Sequence, residues 1–140
     1  MSSKPHITRA DFAAIFPRLV QGRYLLPKKR TELQMVLLSS VLDLNPEAIY
    51  SELQINEQLR EWNSRFATGL TIDHVTLRRY LVDESILQRD RFGSSYSLVS
   101  ESPCFSFDAS IRELDLHSLV AQSQERRAAR KRTYLARRDV

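Results

Sequence analysis

The chain has one cysteine, three glycines and no apolar run approaching the thickness of a bilayer, and each scarcity removes a class of protein. Cys104 has no second cysteine with which to form an internal disulfide, and with His6, His74 and His117 it makes no set at metal-ligand spacing. No metal or other cofactor is expected. With so few glycines there is no phosphate-cradling loop, and neither a GxSxG elbow nor an HExxH helix occurs, so the sequence predicts no enzyme. Cys104 and His117 are a dyad by composition only. The roughly 20 apolar residues of a membrane span are missing, as is the apolar stretch of a secretory signal after MSSKPHITR. The expectation is a cytoplasmic protein without a membrane partner.

What is present suits a soluble domain: 140 residues, 42% hydrophobic and 27% charged. The formal net charge of +4 is unevenly spread. Residues 124–140 hold Arg126, Arg127, Arg130, Lys131, Arg132, Arg137 and Arg138 against Glu125 and Asp139, a net of +5, which leaves −1 for all the rest. Any pull on a polyanion is concentrated in that tail and in local patches.

Thr8 is a plausible N-cap for a first short helix through Phe12, Ile15 and Phe16, predicted to end near Pro17 because proline disfavours helical geometry in the residue before it. Residues 19–26, with Gly22, read as a connector. Pro27 suits a first helical turn, and Leu33, Val36, Leu37, Val41 and Leu42 recur at helical spacing up to Asn45-Pro46. Ser51 caps a further helix through Leu53, Ile55, Leu59 and Trp62 to about Asn63. After a turn over 66–70 containing Gly69, Thr71 or Asp73 caps a helix through Val75, Leu77, Leu81 and Val82. Residues 86–90 and 95–99 are strand-like and flank Arg91-Phe92-Gly93-Ser94, a loop whose glycine can take positive φ. Helix, helix, helix, hairpin is the order of a winged helix. Residues 100–110 look irregular, with Phe105 and Phe107 free to dock, and a last helix starts near Asp108 or Ser110 with Leu114, Leu119 and Val120 on an apolar stripe.

The predicted fold is therefore mainly α with a small β-hairpin: a winged helix-turn-helix over 27–99, an N-terminal helical extension over 1–26, and a linker with a basic C-terminal helix over 100–140. The reading helix is expected at Asp73–Asp83 and the wing at Gln88–Leu98.

Several pieces of the chain resemble the DUF2087 family, a bacterial domain of unknown function found in proteins described as transcriptional regulators. They are Leu26-Pro27-Lys28-Lys29-Arg30, Tyr50-Ser51-Glu52 with Asn56-Glu57, Asp73-His74 with Thr76 to Asp83, and Leu87 with Arg89-Asp90, Gly93 and Tyr96. The resemblance covers about half of the chain, between Leu26 and Val99, and implies a winged-helix-like domain in a regulatory role. Glu84-Ser85 departs from the pattern, where a glycine is expected.

Binding DNA takes cations that neutralise phosphates and polar groups that reach base edges from an element narrow enough for the major groove. The reading helix offers His74, Thr76, Arg78 and Arg79. At 100° per residue Thr76 and Arg79 lie within 60° of one another and away from Leu77 and Leu81. Arg78 points elsewhere, to a phosphate or an internal carboxylate, and both arginines can instead pair with Asp73, Asp83 or Glu84. His74 equally suits a capping or surface role. In the hairpin, Arg89 and Arg91 flank a tip that can reach a phosphate backbone, with Asp90 between them. Lys28, Lys29 and Arg30, placed in a first helical turn where cations are disfavoured, call for either a bound phosphate or a nearby carboxylate. The tail, with Arg126, Arg127, Arg130, Lys131 and Arg132 on more than one face, reads as a nucleic-acid arm or as a solvated terminus; Tyr134 can stack on a base or anchor the last turn.

Residues 27–99 carry 9 Lys and Arg against 10 Asp and Glu, a poor balance for binding DNA unaided. A homodimer that aligns two patches, or the tail, would supply the deficit. The leading expectation is a transcriptional regulator that binds double-stranded DNA. The alternatives are a protein-interaction module on the same scaffold and an RNA- or ribosome-associated protein.

Overall fold

The computed structural model describes residues 4–21, 26–66 and 72–138. The chain runs β1 (His6–Ile7), α1 (Arg9–Leu19), α2 (Arg30–Ser39), β2 (Tyr50–Ser51), α3 (Glu52–Phe66), α4 (His74–Asp83), β3 (Leu87–Arg89), β4 (Ser95–Leu98), β5 (Ser106–Phe107), a 3-10 turn (Ala109–Glu113) and α5 (Leu116–Arg138). It is mainly helical, with a small antiparallel sheet in the order β2–β4–β3 and a short parallel pair, β1–β5.

Local chemistry sets most helix starts. The Thr8 side chain accepts from the Asp11 N–H at 3.1 Å, capping α1. At α3 the cap is reciprocal: Ser51 Oγ accepts from the Gln54 N–H at 3.2 Å, while Gln54 Oε1 accepts from the Ser51 N–H at 2.8 Å. Asp73 caps α4 by accepting from the Thr76 N–H at 2.7 Å.

Several ends differ from the sequence reading. α1 continues through Pro17 to Leu19. A proline in the last turn removes one hydrogen bond, and the burial of Phe16 and Leu19 outweighs that loss. α2 starts at Arg30, so Pro27 and Lys28 precede the helix and Lys29 is its N-cap residue, without a side-chain cap. It also stops at Ser39, short of Asn45. The hydroxyls of Ser39 and Ser40 donate to the carbonyls of Val36 and Leu37, competing with the helical ladder, and α3 completes the end. Trp62 Nε1 donates to Ser39 Oγ at 3.0 Å and Gln58 Nε2 to the Ser40 carbonyl at 3.1 Å. The last helix begins at Leu116 after the 3-10 turn, with Asp115 Oδ1 accepting from the Ser118 N–H. The expected connector glycine Gly22 and the turn around Gly69 lie outside the described residues.

One core joins these elements. Phe12 and Phe16 stack at 5.1 Å within the same cluster as Leu37, Leu59, Leu77, Leu81, Phe105 and Ile111. α5 lies along α1 and runs in the same direction: Arg9, at the start of α1, donates to the Ser110 carbonyl, while Arg127 donates to Gln21 Oε1 just beyond its end. No residue of α5 is fully buried, although Leu116 and Val120 pack on the core.

At the end of α4 the Glu84-Ser85 pair does what a glycine usually does. Ser85 takes φ +56°, the Ile86 N–H reaches back to the Leu81 carbonyl and the Ser85 N–H to that of Val82, with Leu81 and Ile86 both buried. A serine in this left-handed conformation is strained by about 1 kcal/mol. Ser85→Gly is expected to stabilise the fold by about 0.5 kcal/mol, since the greater freedom of glycine in the unfolded chain offsets part of the relief. A urea titration reads the shift.

Candidate functional site

The outward face of α4 and the β3–β4 hairpin border a groove lined by Val75, Arg78, Arg79, Val82, Asp83, Arg89 and Tyr96, with a volume near 310 Å³. Two of its cations, Arg79 on α4 and Arg89 on β3, are exposed and make no ion pair among the described residues. The face also carries Asp83, four residues after Arg79, and exposed Val75 and Tyr80.

Arg78 belongs to the body. Its guanidinium bonds Glu52 Oε1 at 3.2 Å and Asn56 Oδ1, lies 5.7 Å from the centre of the Tyr96 ring, and has a side chain only 16% exposed. It thus ties α4 to α3 and β4. The internal carboxylate that satisfies it is Glu52, rather than Asp73, Asp83 or Glu84.

Thr76 is committed to the cap through its N–H, and hydrogen bonds from its backbone and hydroxyl hold the Asp73 carboxyl below the usual carboxylate range. His74 occupies the first helical position, half-buried. At the hairpin tip Gly93 has φ +72°; a Cβ there would meet nothing within 4 Å, so backbone conformation alone favours glycine. Asp90 shapes that tip: its carboxylate accepts from the Ser94 N–H and hydroxyl, both at 2.8 Å, and from the Ser95 N–H at 3.2 Å. These bonds, the Ser94 hydroxyl first, lower its pKa. The carboxylate is turned into the turn, while Arg91 and Phe92 are left exposed, Phe92 by 84%.

Arg30 forks onto Glu84 Oε1 and Oε2 at 3.2 and 3.4 Å, and buried Gln34 donates to the same carboxylate at 3.1 Å. A carboxylate partner therefore accounts for Arg30. Lys28 and Lys29 are exposed and make no ion pair among the described residues. On α5, Arg127 is bonded to Gln21 and Arg132 to Glu125 at 3.1 Å, whereas Arg126, Arg130 and Lys131 are exposed without an ion pair among the described residues. Beyond Arg127 no hydrogen bond ties the helix to another element among the described residues.

Tyr96, Glu52 and Asn56 stand among the resembling motifs, but sequence reasoning assigned them no role at the site; the Tyr96 ring underlies Arg78, and Glu52 and Asn56 reach it from the neighbouring helix. Among the described residues no group of three or more His, Cys, Asp or Glu is placed to hold a metal ion, and no helix is long and apolar enough to cross a membrane.

The core, the hairpin and the groove all draw on a region that matches one family model, that of uncharacterized proteins conserved in bacteria (DUF2087), over residues 8–98. The chain belongs to that family. The match reaches back to Thr8 and so takes in α1, well before the Leu26 at which the resembling motifs begin. No significant match was found among curated proteins or among solved structures.

Proposed function

We propose that α2, β2, α3, α4 and the β3–β4 hairpin form a winged helix-turn-helix, and that the protein is a DNA-binding transcriptional regulator. The observation that carries this reading is the sheet order. β2, placed between α2 and α3, pairs with the far strand of the hairpin to give β2–β4–β3, so that α4 and the hairpin flank one groove holding Arg79 and Arg89. In this arrangement α4 enters the major groove with Arg79 at base edges, Thr76 and His74 near the phosphates, and the hairpin contacts the backbone through Arg89 and Arg91. Lys28 and Lys29 add charge beside the domain, and α5 adds more.

Selection of fragments from a random duplex pool tests the reading. A defined sequence should be enriched, and Arg79→Ala should weaken its binding by about 1–3 kcal/mol while changing non-specific binding little; Arg89→Ala should weaken both alike. Failure to enrich any duplex at low salt, or an Arg79→Ala protein that binds like the parent, would sink it. The exposed apolar side chains Ile49 and Leu53 favour a second reading, a module that docks a protein partner. One stoichiometric protein recovered in a pull-down, with no nucleic-acid shift, would select that reading.

A further inference from the structure

Away from the groove, a cavity of about 410 Å³ opens between the end of α2, the base of the hairpin and the segment that carries β5. Its floor is apolar, made by Leu38, Ile86, Leu98 and Phe105, all nearly or fully buried. Arg112, from the 3-10 turn, stands at its wall with the guanidinium 5.5 Å from the centre of the Phe107 ring, which lines the same cavity. Among the described residues no carboxylate pairs with Arg112 and no acceptor takes its N–H groups. Partial burial alone acts on its charge, drawing its pKa down from the ordinary arginine value. A cation desolvated in this way without an acid partner has most to gain from an incoming anion. Lys4 also borders the cavity, its Nζ donating to the Ser102 carbonyl at 2.9 Å, and the single acid in the lining, Glu101, is exposed.

We infer that this cavity binds a small amphipathic monocarboxylate, whose hydrocarbon part lies on the Leu38, Ile86, Leu98 and Phe105 floor and whose carboxylate is forked by Arg112. The volume lies toward the small end of the range of roughly 300–1,000 Å³ typical of ligand pockets, which suits a chain or ring of about six to ten carbons. A planar guanidinium with free donors matches a carboxylate in two parallel hydrogen bonds, whereas an alcohol of the same length can accept only one. Leu98 ends β4 and Ile86 directly precedes β3, so an occupant touches the base of the hairpin whose β3 carries Arg89. The site nevertheless stands apart from the DNA reading, and neither depends on the other.

The test uses the full chain and titration calorimetry with hexanoate, octanoate, decanoate and 3-phenylpropanoate, with octan-1-ol as the neutral comparison. One or more of the acids should bind with one-to-one stoichiometry and at least tenfold more tightly than octanol. Arg112→Gln should remove that advantage, Arg112→Lys should restore part of it, and Ser100→Trp, which fills the mouth, should abolish binding of acid and alcohol alike. Circular dichroism verifies that each variant is folded. Absence of saturable binding by all four acids, or binding that is indifferent to Arg112→Gln and Ser100→Trp, overturns the inference.

Discussion

Replacing Arg126, Arg130, Lys131 and Arg137 together by glutamine is expected to weaken binding to non-specific duplex and to reduce the slope of log K against log salt by about 3–4, so that between 50 and 200 mM salt the variant loses roughly 100-fold less affinity than the parent. The four lie within a 140° arc of α5 by helical arithmetic, and none is held in an ion pair among the described residues. Arg127 and Arg132 are omitted because Gln21 and Glu125 already engage them. Glutamine keeps helix propensity, so the comparison isolates charge. The expectation rests on the proposed DNA-binding role; fluorescence anisotropy across a salt series measures it. An unchanged slope would show that the tail releases no counterions and that phosphate contacts lie elsewhere.

The largest expected effect on folding is that of Phe12→Ala. Phe12 is fully buried and stacked on Phe16, whose ring also meets Phe66 edge-on with centroids 6.2 Å apart. Truncating a buried phenylalanine costs about 3–5 kcal/mol, a large share of the 5–15 kcal/mol that holds a typical domain folded. The loss should appear at once in the midpoint of urea unfolding, and as one transition followed identically by far-ultraviolet circular dichroism and by Trp62 fluorescence. Phe12→Leu, which keeps much of the volume, should cost less than half as much. A biphasic curve, with Trp62 unaffected in the first phase, would show that α1 is dispensable to the rest of the core.

The starts of α1 and α3 were legible to within a residue, and Asp73 was one of the two caps read for α4, because a cap is a local signal; the start of α5, capped by Asp115, was expected six to eight residues too early. Asp73 with Thr76 and Ser51 with Gln54 act over three residues, and a reader of the sequence sees both partners at once. The hairpin was legible for the same reason, through Gly93 and the strand-like residues on either side of it; its observed bounds are Leu87 to Leu98. β1, β2 and β5 are two residues each, too short for any periodicity, and His6 finds its strand partner Ser106 a hundred positions later. The end of α2 turned on hydroxyls competing with the backbone at Ser39 and Ser40, which apolar spacing does not register. At the site, Thr76 and Arg79 could be assigned to one face from helical geometry alone. The burial of Arg78 could not, because Glu52, Asn56 and Tyr96 reach it from other elements.

The parallel pairing of β1 with β5 has a consequence for the far end of the molecule. His6 and Ile7 align with Ser106 and Phe107, and Asp108, directly after them, receives the Arg9 N–H at the start of α1, which also helps hold its carboxyl below the usual range. Each strand feeds the helix that follows it, so two short crossings fix the mutual direction of α1 and α5. The last eleven residues of α5, a lever of about 16 Å, are thus aimed from residues 4–9 at the opposite end of the chain. A bulky fusion or a cut that unseats this N-terminal clasp would leave the arginine charge intact and redirect it.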